Sequence, residues 1–236
     1  MAQTCSRRLF LAFTGGVLAA PKMLWAADAG PGALDHIILG INDLNRGIAF
    51  VEEKTGVRAA FGGVHPGRGT QNALLSLGEQ HYLEIIAPDP KQDVPPQISG
   101  LRELQEPCLV GWAVHTSDIA AAAKRLRDAG IAIAEPRDGS RLRPDGRTLR
   151  WKSFSLKDDR QGLLPFFIEW SSDSIHPSTD APAGCRLTHF SAQSPDPAEL
   201  ARTLKTLGTD LMIERAAKAQ LLARIAGPRG ALELVS

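Results

Sequence analysis

The sequence predicts an α+β fold built from three copies of one small unit, each made of a strand, a helix and three further strands. Two observations predict it. Apolar, β-rich segments and short helical patterns alternate in the same order three times, and each copy closes with a strand that carries one glutamate among apolar residues. Repeats of this size indicate one architecture in which the units pair. With 43% hydrophobic and 22% charged residues, the 236-residue chain has the composition of a globular protein.

The first unit is assigned to residues 33–90. Its helix is predicted to begin at Asp43, because aspartate is a favoured N-cap residue, and to end near Gly56, because glycine is favoured just after a helix. Apolar residues three and four positions apart support a helix between them. The strands of this unit are predicted at 34–41, 57–64, 70–77 and 81–87.

The second unit is assigned to residues 108–172 and repeats these signals, with a helix from Asp118 to Gly130. The proline-rich stretch 88–107 and the stretch 171–184 are interpreted as linkers on either side of it. The strands of the second unit are predicted at 109–116, 131–135, 147–156 and 164–170.

The third unit is assigned to residues 185–236 and is shorter, with a helix from Asp196 to Gly208. We expect it to pack on the first two units or to take part in a subunit contact, so a homodimer is a candidate assembly. Its strands are predicted at 186–193, 210–215, 220–226 and 231–235.

Residues 1–29 are typical of a secretory signal peptide. A basic start with Arg7 and Arg8 precedes an apolar run at 12–20, and small residues follow up to Ala29. The paired arginines resemble the twin-arginine export signal of bacteria. The sequence therefore predicts a periplasmic protein that loses this segment by cleavage near Ala29. An ordinary signal peptide with two chance arginines is the alternative.

The charge balance and the apolar pattern exclude two classes of partner. Lys and Arg together number 27 against 26 Asp and Glu, for a formal net charge of +1, and aromatic residues make up 6%. This composition indicates no nucleic-acid surface. No apolar run reaches the roughly 18–20 residues of a membrane span. We therefore expect a small-molecule substrate or ligand, and no membrane contact after signal cleavage. Cys108 and Cys185 are either a periplasmic disulfide or two buried thiols.

Several segments along the predicted mature chain carry a family resemblance. They are Leu34-Asp35-His36, His65-Pro66-Gly67-Arg68-Gly69-Thr70, Asn72-Ala73-Leu74-Leu75, Tyr82-Leu83-Glu84, Ala87-Pro88-Asp89-Pro90, Leu109-Val110-Gly111-Trp112, Pro144-Asp145-Gly146 and Gly184-Cys185-Arg186-Leu187. Together with the repeated units, they resemble the vicinal oxygen chelate superfamily in its glyoxalase-like branch. The resemblance implies that units pair into a cupped mixed sheet with a divalent metal ion at its floor. Because this superfamily is chemically diverse, the fold alone does not determine the reaction.

Carried over by position, the resemblance implies three metal ligands: His36, Glu84 and Glu169. Imidazole and carboxylate ligands suit zinc, nickel, manganese or iron. The position in the second unit that matches the histidine is Gly111 or Trp112, whose side chains bind no metal. His115 is the remaining candidate for a fourth ligand, and the face of its strand is left open. A three-ligand site and a metal-free binding pocket are both compatible with this departure.

Candidate substrate-binding residues lie near the hairpins of the first two units and on the strand that opens the second unit. Arginine binds carboxylates through paired hydrogen bonds, and a tryptophan supplies an apolar or stacking wall. A solvated turn is the alternative interpretation of the arginines. The candidates are His65, Arg68, Asn72, Trp112 and Arg150.

Three functions follow from these residues. The first is a metal-dependent lyase or isomerase that acts on a small, oxygen-rich, carboxylated compound through a metal-stabilised enediolate, with Glu169 or Glu84 as the base. The second is a metal-free periplasmic protein that binds a small molecule in the same cup. The third is a ring-cleaving dioxygenase, which requires His115 to point inward. The sequence contains no serine-hydrolase elbow, phosphate loop, dinucleotide fingerprint or zinc-protease helix.

Overall fold

The computed structural model describes residues 33–236. The predicted signal peptide at 1–29, with its twin-arginine motif, lies outside the described residues. Within residues 33–236, no helix is long and apolar enough to cross a membrane. The predicted α+β fold with a cupped mixed sheet is confirmed.

The first two units form one mixed sheet of eight strands. The strands are β1 Leu34–Gly40, β2 Ala60–His65, β3 Thr70–Ser76, β4 Tyr82–Pro88, β5 Cys108–His115, β6 Arg137–Leu142, β7 Thr148–Phe154 and β8 Phe166–Trp170. They lie in the order β2-β3-β4-β1-β5-β8-β7-β6. β1 and β5 pair antiparallel at the centre, and each pairs in parallel with the last strand of its own unit. The two units therefore have the same strand order about the central pair.

The sheet curls until its two edge strands, β2 and β6, approach each other. A Cβ atom added to Gly63 in β2 would lie 2.6 Å from the carbonyl oxygen of Leu142 in β6. The inner face of the curl is a cup lined by alternate side chains of the strands. The stretch 88–107, predicted as a linker, covers one end of the cup. There Leu101, in the short 3₁₀ helix Leu101–Glu103, packs against Ile38.

Three helices of ten or more residues cover the outer face of the large sheet and the third unit. They are α1 Leu44–Thr55, α2 Ile119–Asp128 and α4 Pro197–Leu207, with the short α3 Pro177–Asp180 in the second predicted linker. The side chains of Asp43, Asp118 and Asp196 each accept a hydrogen bond from a backbone N–H of the first turn. The predicted helix starts are confirmed, because a local side-chain cap determines them.

The third unit forms a separate sheet of four strands in the order β10-β9-β11-β12. The strands are β9 Arg186–Ser194, β10 Met212–Arg215, β11 Gln220–Gly227 and β12 Gly230–Val235. The predicted element order is found, but β9 pairs with β10 and β11, whereas β1 in the first unit pairs with the last strand of its unit. The third unit is therefore not a topological copy. Its apolar face joins the helix-side core, where the rings of Phe190 and Trp112 lie 5.4 Å apart.

One predicted strand is misplaced. The sequence predicts a strand at 131–135, but β6 lies at Arg137–Leu142, and Ile133 makes only an isolated bridge to Leu156. The apolar side chain of Ile133 is buried in the core next to α2. β6 is an edge strand with exposed, polar residues, and a search for apolar runs therefore misses it.

Candidate active site

A cavity of about 800 Å³ fills the cup. Four buried polar side chains from the first unit line it: His36, His65, Asn72 and Glu84. A wider groove of about 1080 Å³ lies outside the cup, between the start of α1 and residues 88–93. That groove is lined by none of the predicted site residues. The cup is therefore the candidate site.

Strand alternation places Glu84 at the floor of the cup. In β4, the side chains of Tyr82, Glu84 and Ile86 face the cavity, while those of Leu83 and Ile85 belong to the core. Only 7% of Glu84 is exposed. A buried carboxylate is costly unless its oxygens are hydrogen-bonded or paired, so its neighbours decide its state.

Each oxygen of Glu84 has a histidine nearby. Nε2 of His36 is 3.5 Å from Oε2, and Nε2 of His65 is 3.6 Å from Oε1, which also accepts a 2.6 Å hydrogen bond from Nδ2 of Asn72. Burial raises the pKa of the Glu84 carboxyl, but these three neighbours and Arg141 outweigh burial and lower the pKa below its ordinary value. Glu84 is therefore ionised at neutral pH.

His65 is a neutral imidazole held by the hairpin of the first unit. Its Nδ1 is 2.9 Å from Oγ1 of Thr70, the residue opposite it in the pairing of β2 with β3. Its Nε2 accepts a 3.3 Å hydrogen bond from Nδ2 of Asn72. Burial lowers the pKa of His65 to about 4, although the negative charge of Glu84 acts in the opposite direction. One Asn72 amide group thus connects this ring to the carboxylate.

His36 is oriented by the buried carboxylate of Asp35. A β-bulge in β1 precedes the ring, and Nδ1 of His36 lies 2.7 Å from Oδ1 of Asp35. Burial raises the pKa of Asp35, but hydrogen bonds from His115, His176 and His36 outweigh it and hold the pKa well below its ordinary value. Since an ionised carboxylate only accepts hydrogen bonds, Nδ1 of His36 carries the proton. Nε2 is therefore directed towards Glu84.

The other oxygen of Asp35 accepts from residues of the second unit and the second predicted linker. Nε1 of Trp170 donates to Oδ2 at 3.0 Å, and Nε2 of His176 is 3.2 Å away. Nδ1 of His115 lies 3.7 Å from the same oxygen. His115 therefore joins Asp35 and not Glu84. The predicted role of His115 as a metal ligand beside Glu84, which the dioxygenase hypothesis requires, is not supported.

The second unit contributes one buried charged side chain to the cup. Arg141 of β6 is 3% exposed, and its Nη1 donates a 2.6 Å hydrogen bond to Oδ1 of Asn72. The same asparagine donates to Glu84. Asn72 therefore separates the guanidinium of one unit from the carboxylate of the other, and the floor of the cup holds both charges.

The structure places Glu169 outside the cup. In β8, Ile168 and Trp170 line the cavity, so the side chain between them points to the helix layer. There Oε2 of Glu169 accepts a 2.7 Å hydrogen bond from the backbone N–H of Ile119 at the start of α2. The predicted roles of Glu169 as metal ligand and as base are corrected. Its carboxylate stabilises the N-terminus of a helix.

Of two further predicted substrate-binding residues, one borders the cavity from the core and the other lies outside the cup. Trp112 borders the cavity, but it is only 1% exposed, and its ring packs against Phe190 in the core and donates through Nε1 to the carbonyl oxygen of Leu163 at 3.0 Å. Arg150 is exposed and pairs with Asp173 at 3.1 Å, because β7 turns Leu149 inward and the arginine outward. Strand alternation therefore corrects the prediction for Arg150.

Three other predicted substrate-binding residues line the cavity: Arg68 at the rim of the cup, and His65 and Asn72 deeper inside. Arg68 is half-buried and donates to Oε1 of Gln97 at 3.2 Å and to the carbonyl oxygen of Asp138 at 3.4 Å. Its guanidinium therefore connects the covering stretch 88–107 to β6. Burial and the nearby Arg137 lower the pKa of Arg68.

The donor set of the cup does not fit the metal site that the resemblance implies. His36 and Glu84 are the two implied ligands that lie together, and Ala113 and Ile168 occupy the facing positions in the second unit. Among residues 33–236, no group of three or more His, Cys, Asp or Glu side chains is arranged to hold a metal ion. The guanidinium of Arg141 adds positive charge to the same floor, which opposes a cation.

Sequence reasoning missed three residues of this site. Arg141 is one of five arginines within fourteen residues, and the pattern alone did not distinguish it from its exposed neighbours. Asp35 is part of the motif Leu34-Asp35-His36, and its position beside a candidate ligand histidine is a signal for a carboxylate that orients the ring. His176 lies in the second predicted linker, and no local pattern links it to a residue 141 positions away.

Comparison with known proteins gives a family and a fold. Residues 34–208 match the family described as the glyoxalase-like domain. A hypothetical protein from Staphylococcus aureus is 16% identical, with a TM-score of 0.60 over 86% of this chain and 84% of that chain. At this identity the similarity shows the fold alone.

Two enzymes of known structure are also similar. Methylmalonyl-CoA epimerase from Mycobacterium tuberculosis is 19% identical, with a TM-score of 0.44 over 63% of this chain and 92% of its own. Methylmalonyl-CoA epimerase from Streptomyces coelicolor is 21% identical, with a TM-score of 0.45 over 62% of this chain and 99% of its own. No curated protein matches this chain by sequence.

Proposed function

This chain belongs to the glyoxalase-like domain family, and on that premise we propose that it is an isomerase or lyase that moves a proton on a small, oxygen-rich compound bound in the cup. The observation that carries the proposal is the ionised carboxylate of Glu84, buried at the floor of a cavity of about 800 Å³. A general base must be ionised and within hydrogen-bond reach of the proton that it removes. Glu84 is ionised, and it faces the cavity in which a bound substrate would come within hydrogen-bond reach of its carboxylate.

The side chains around Glu84 supply the remaining parts of a proton transfer. Glu84 accepts a proton from a carbon next to a carbonyl group, and the electron pair left on that carbon spreads onto the carbonyl oxygen. Nε2 of His36, held by Asp35 and 3.5 Å from Oε2, is placed to receive the proton and return it. The guanidinium of Arg141 supplies positive charge for the negative charge that develops. Return of the proton to a neighbouring atom gives an isomer, whereas loss of a leaving group gives an elimination.

The proposal keeps the reaction class expected from the resemblance and departs from its metal-stabilised enediolate. The reason is that the cup lacks the third predicted metal ligand, because Glu169 lies on the helix side of β8. Export to the periplasm remains part of the proposal and is supported by the sequence of residues 1–29 alone.

A metal-free protein that only binds a small molecule is the second candidate. It is favoured by the hydrogen bond from Asn72 to Oε1 of Glu84, which occupies one oxygen of the proposed base. The two candidates share the cavity and differ in whether a carbon-bound proton exchanges.

The test is proton exchange in D₂O, followed by ¹H NMR, with a panel of small 2-oxo and 2-hydroxy acids and their aldehydes. We expect the protein to exchange a carbon-bound proton of at least one compound faster than buffer, with no effect of a chelator. Glu84→Gln keeps the shape of the side chain and is expected to lower the exchange rate by roughly 10²–10⁴-fold, the usual contribution of a general base.

Glu169→Gln is the matched control, because the same change is made on the opposite face of the sheet. It is expected to leave the exchange rate within about twofold, since the side chain does not reach the cavity. Exchange that survives in Glu84→Gln contradicts the assignment of the base. Binding without exchange by the unmodified protein favours the second candidate.

A further inference from the structure

Arg141 occupies a space that two glycines of the facing strand leave open. A Cβ atom on Gly62 would overlap Nη1 of Arg141 and Oδ1 of Asn72, and one on Gly63 would lie 2.9 Å from Cγ of Arg141. The side chain therefore crosses from β6 to β2 through a gap that these two residues provide. Only 3% of Arg141 is exposed, so its charge is held inside the curled sheet.

This buried guanidinium has no carboxylate partner among residues 33–236. Its exposed or half-buried neighbours do: Arg143 pairs with Asp180 at 2.8 Å and Arg150 with Asp173 at 3.1 Å. Burial lowers the pKa of Arg141, although Glu84 acts in the opposite direction, and a guanidinium remains protonated at neutral pH. A buried charge costs several kcal/mol unless a counter-ion pairs with it directly, and Asn72 separates Arg141 from Glu84, so the guanidinium retains capacity for an anionic partner.

The free donors of Arg141 face the cavity. A guanidinium has five N–H groups, and the described residues accept a single hydrogen bond from Arg141, at Asn72. The side chain lines the cavity, where the remaining N–H groups have the fork geometry that matches a carboxylate. The negative charge of Glu84 on the far side of Asn72 disfavours a dianionic group at this position.

Strands β7 and β8 of the second unit supply an apolar wall to the same cavity. Trp151 lies against Gly139 of β6, and its ring is 6.2 Å from that of His65. Phe166 and Ile168 of β8 complete this side of the cavity. A ligand that fills the cup therefore meets a cation at the floor and hydrocarbon surface at the wall.

We propose that Arg141 binds the carboxylate of a small organic acid whose other end is apolar or aromatic. The acid lies with its carboxylate on the free N–H groups of Arg141 and its apolar group against Trp151, Phe166 and Ile168. This assignment rests on the proposed function in using the same cavity and names the class of its substrate. It makes Arg141 the residue that selects acids over their neutral analogues.

The test measures affinity and not turnover, on the full chain, by quenching of tryptophan fluorescence and by calorimetry. The probes are mandelate, its neutral amide mandelamide, and phenyl phosphate. We expect mandelate to bind at least about tenfold more tightly than mandelamide, the usual value of a charge-assisted hydrogen bond. Phenyl phosphate is expected to bind more weakly than mandelate. Equal binding of acid and amide, tightest binding of the phosphate, or no binding of mandelate at millimolar concentration overturns the proposal.

Arg141→Lys keeps the charge and removes the fork of donors. It is expected to weaken mandelate roughly 10–100-fold and to leave mandelamide within about twofold. Arg150→Gln, an exposed arginine nine positions away, is the matched control and is expected to change neither affinity. Unchanged mandelate affinity in Arg141→Lys overturns the proposal.

Two further measurements keep the test independent of folding and of catalysis. If Arg141→Lys does not fold, the unmodified protein alone tests the assignment. Mandelate is expected to raise its melting temperature more than the same concentration of mandelamide does. An equal rise for both overturns the assignment. Glu84→Gln is expected to bind mandelate at least as tightly as the unmodified protein, since it removes a nearby negative charge. If the unmodified protein binds mandelate more tightly than mandelamide but exchanges no carbon-bound proton, the proposed reaction is wrong and the binding assignment stands.

Discussion

The two halves of the cup have the same strand order and opposite chemistry. On the first unit, the side chains that face the cavity from β1 and β4 include His36 and Glu84. On the second unit, Ala113 and Ile168 occupy the facing positions on β5 and β8. The second unit contributes hydrocarbon and one buried cation, Arg141, with Glu135, Arg137 and Asp159 as less buried charged residues of the lining. Arg141 reaches Asn72 of the first unit across the seam where the edge strands β6 and β2 meet. A repeated architecture therefore does not repeat the chemistry, and the site needs both halves.

The difference arises from strand alternation and not from composition. Both closing strands carry a glutamate, but Glu84 faces the cavity and Glu169 faces the helices. Since side chains alternate along a strand, a shift of one residue transfers a carboxylate from a binding site to a helix cap. Three experiments test or sharpen this contrast, starting with the largest expected effect.

The matched hairpins of the two units should differ most in their response to pH. The hairpin of the second unit carries Arg143, which pairs with Asp180 at 2.8 Å. His65 has an ordinary pKa of 6.5 that falls to about 4 in the folded protein. Between these values the unfolded chain binds a proton that the native protein does not, so the free energy of unfolding falls as the pH falls. The expected loss is about 3 kcal/mol for this one group.

Urea unfolding of the unmodified protein and of His65→Gln at pH 7.5, 6.5, 5.5, 4 and 3 checks this expectation. The variant should show a smaller loss of unfolding free energy between pH 6.5 and 4. Below the ordinary pKa values of Glu84 and Asp35 both proteins should lose stability further, because the folded-state pKa values of these groups are lowered. Equal pH dependence in the two proteins shows that His65 does not remain neutral in the fold.

The two halves also use glycine differently. Gly62→Ala places a methyl group where the guanidinium of Arg141 lies, and we expect a loss of roughly 1–3 kcal/mol in unfolding free energy from overpacking. A Cβ on Gly111 meets nothing within 4 Å, so Gly111→Ala is expected to change stability by no more than about 0.5 kcal/mol. Urea midpoints measure both. If the two variants are equally stable, the seam around Arg141 is not tightly packed.

The smallest expected effect concerns Glu169, the glutamate that faces the helices. Glu169→Gln removes a negative charge from the N-terminus of α2, and we expect a loss of about 0.5–1 kcal/mol in unfolding free energy. Glu135→Gln, in an exposed pair with Arg127, is the control and should change stability less. The loss in Glu169→Gln should diminish at high salt, because screening weakens a charge at a helix end. A loss that does not depend on salt contradicts the helix-cap role.

Much of the fold could be predicted from local signals. The N-caps Asp43, Asp118 and Asp196 mark the helix starts, because a cap is satisfied within one turn. β6 could not be predicted, because an edge strand with the sequence Arg-Asp-Gly-Ser-Arg-Leu has no apolar run. The strand order in the sheet of the third unit could not be predicted either, since the same element order allows more than one pairing.

The residues of the candidate site also divide into those that local signals predict and those that depend on distant contacts. His36, His65, Asn72 and Glu84 come from one unit of fewer than sixty residues, and short connections bring their strands together. The amino-acid sequence was therefore sufficient to place this polar half in one cup. The role of Arg141 depends on a contact with a residue 69 positions away across the closed seam, and that of Asp35 on one 141 positions away.

Local rules determined the elements, the helix caps and the residues of the first unit that share a strand face, because capping and alternation act over a few residues. Tertiary packing alone determined which face Glu169 occupies and how the strands of the third unit are ordered. It also determined that Arg141, one of five arginines at 137–150, is buried with no carboxylate paired to it among residues 33–236. These depend on strand register and on sheet closure. Neither strand register nor sheet closure can be predicted from residue spacing alone, because a loop of unknown conformation can shift the register of the next strand by one residue.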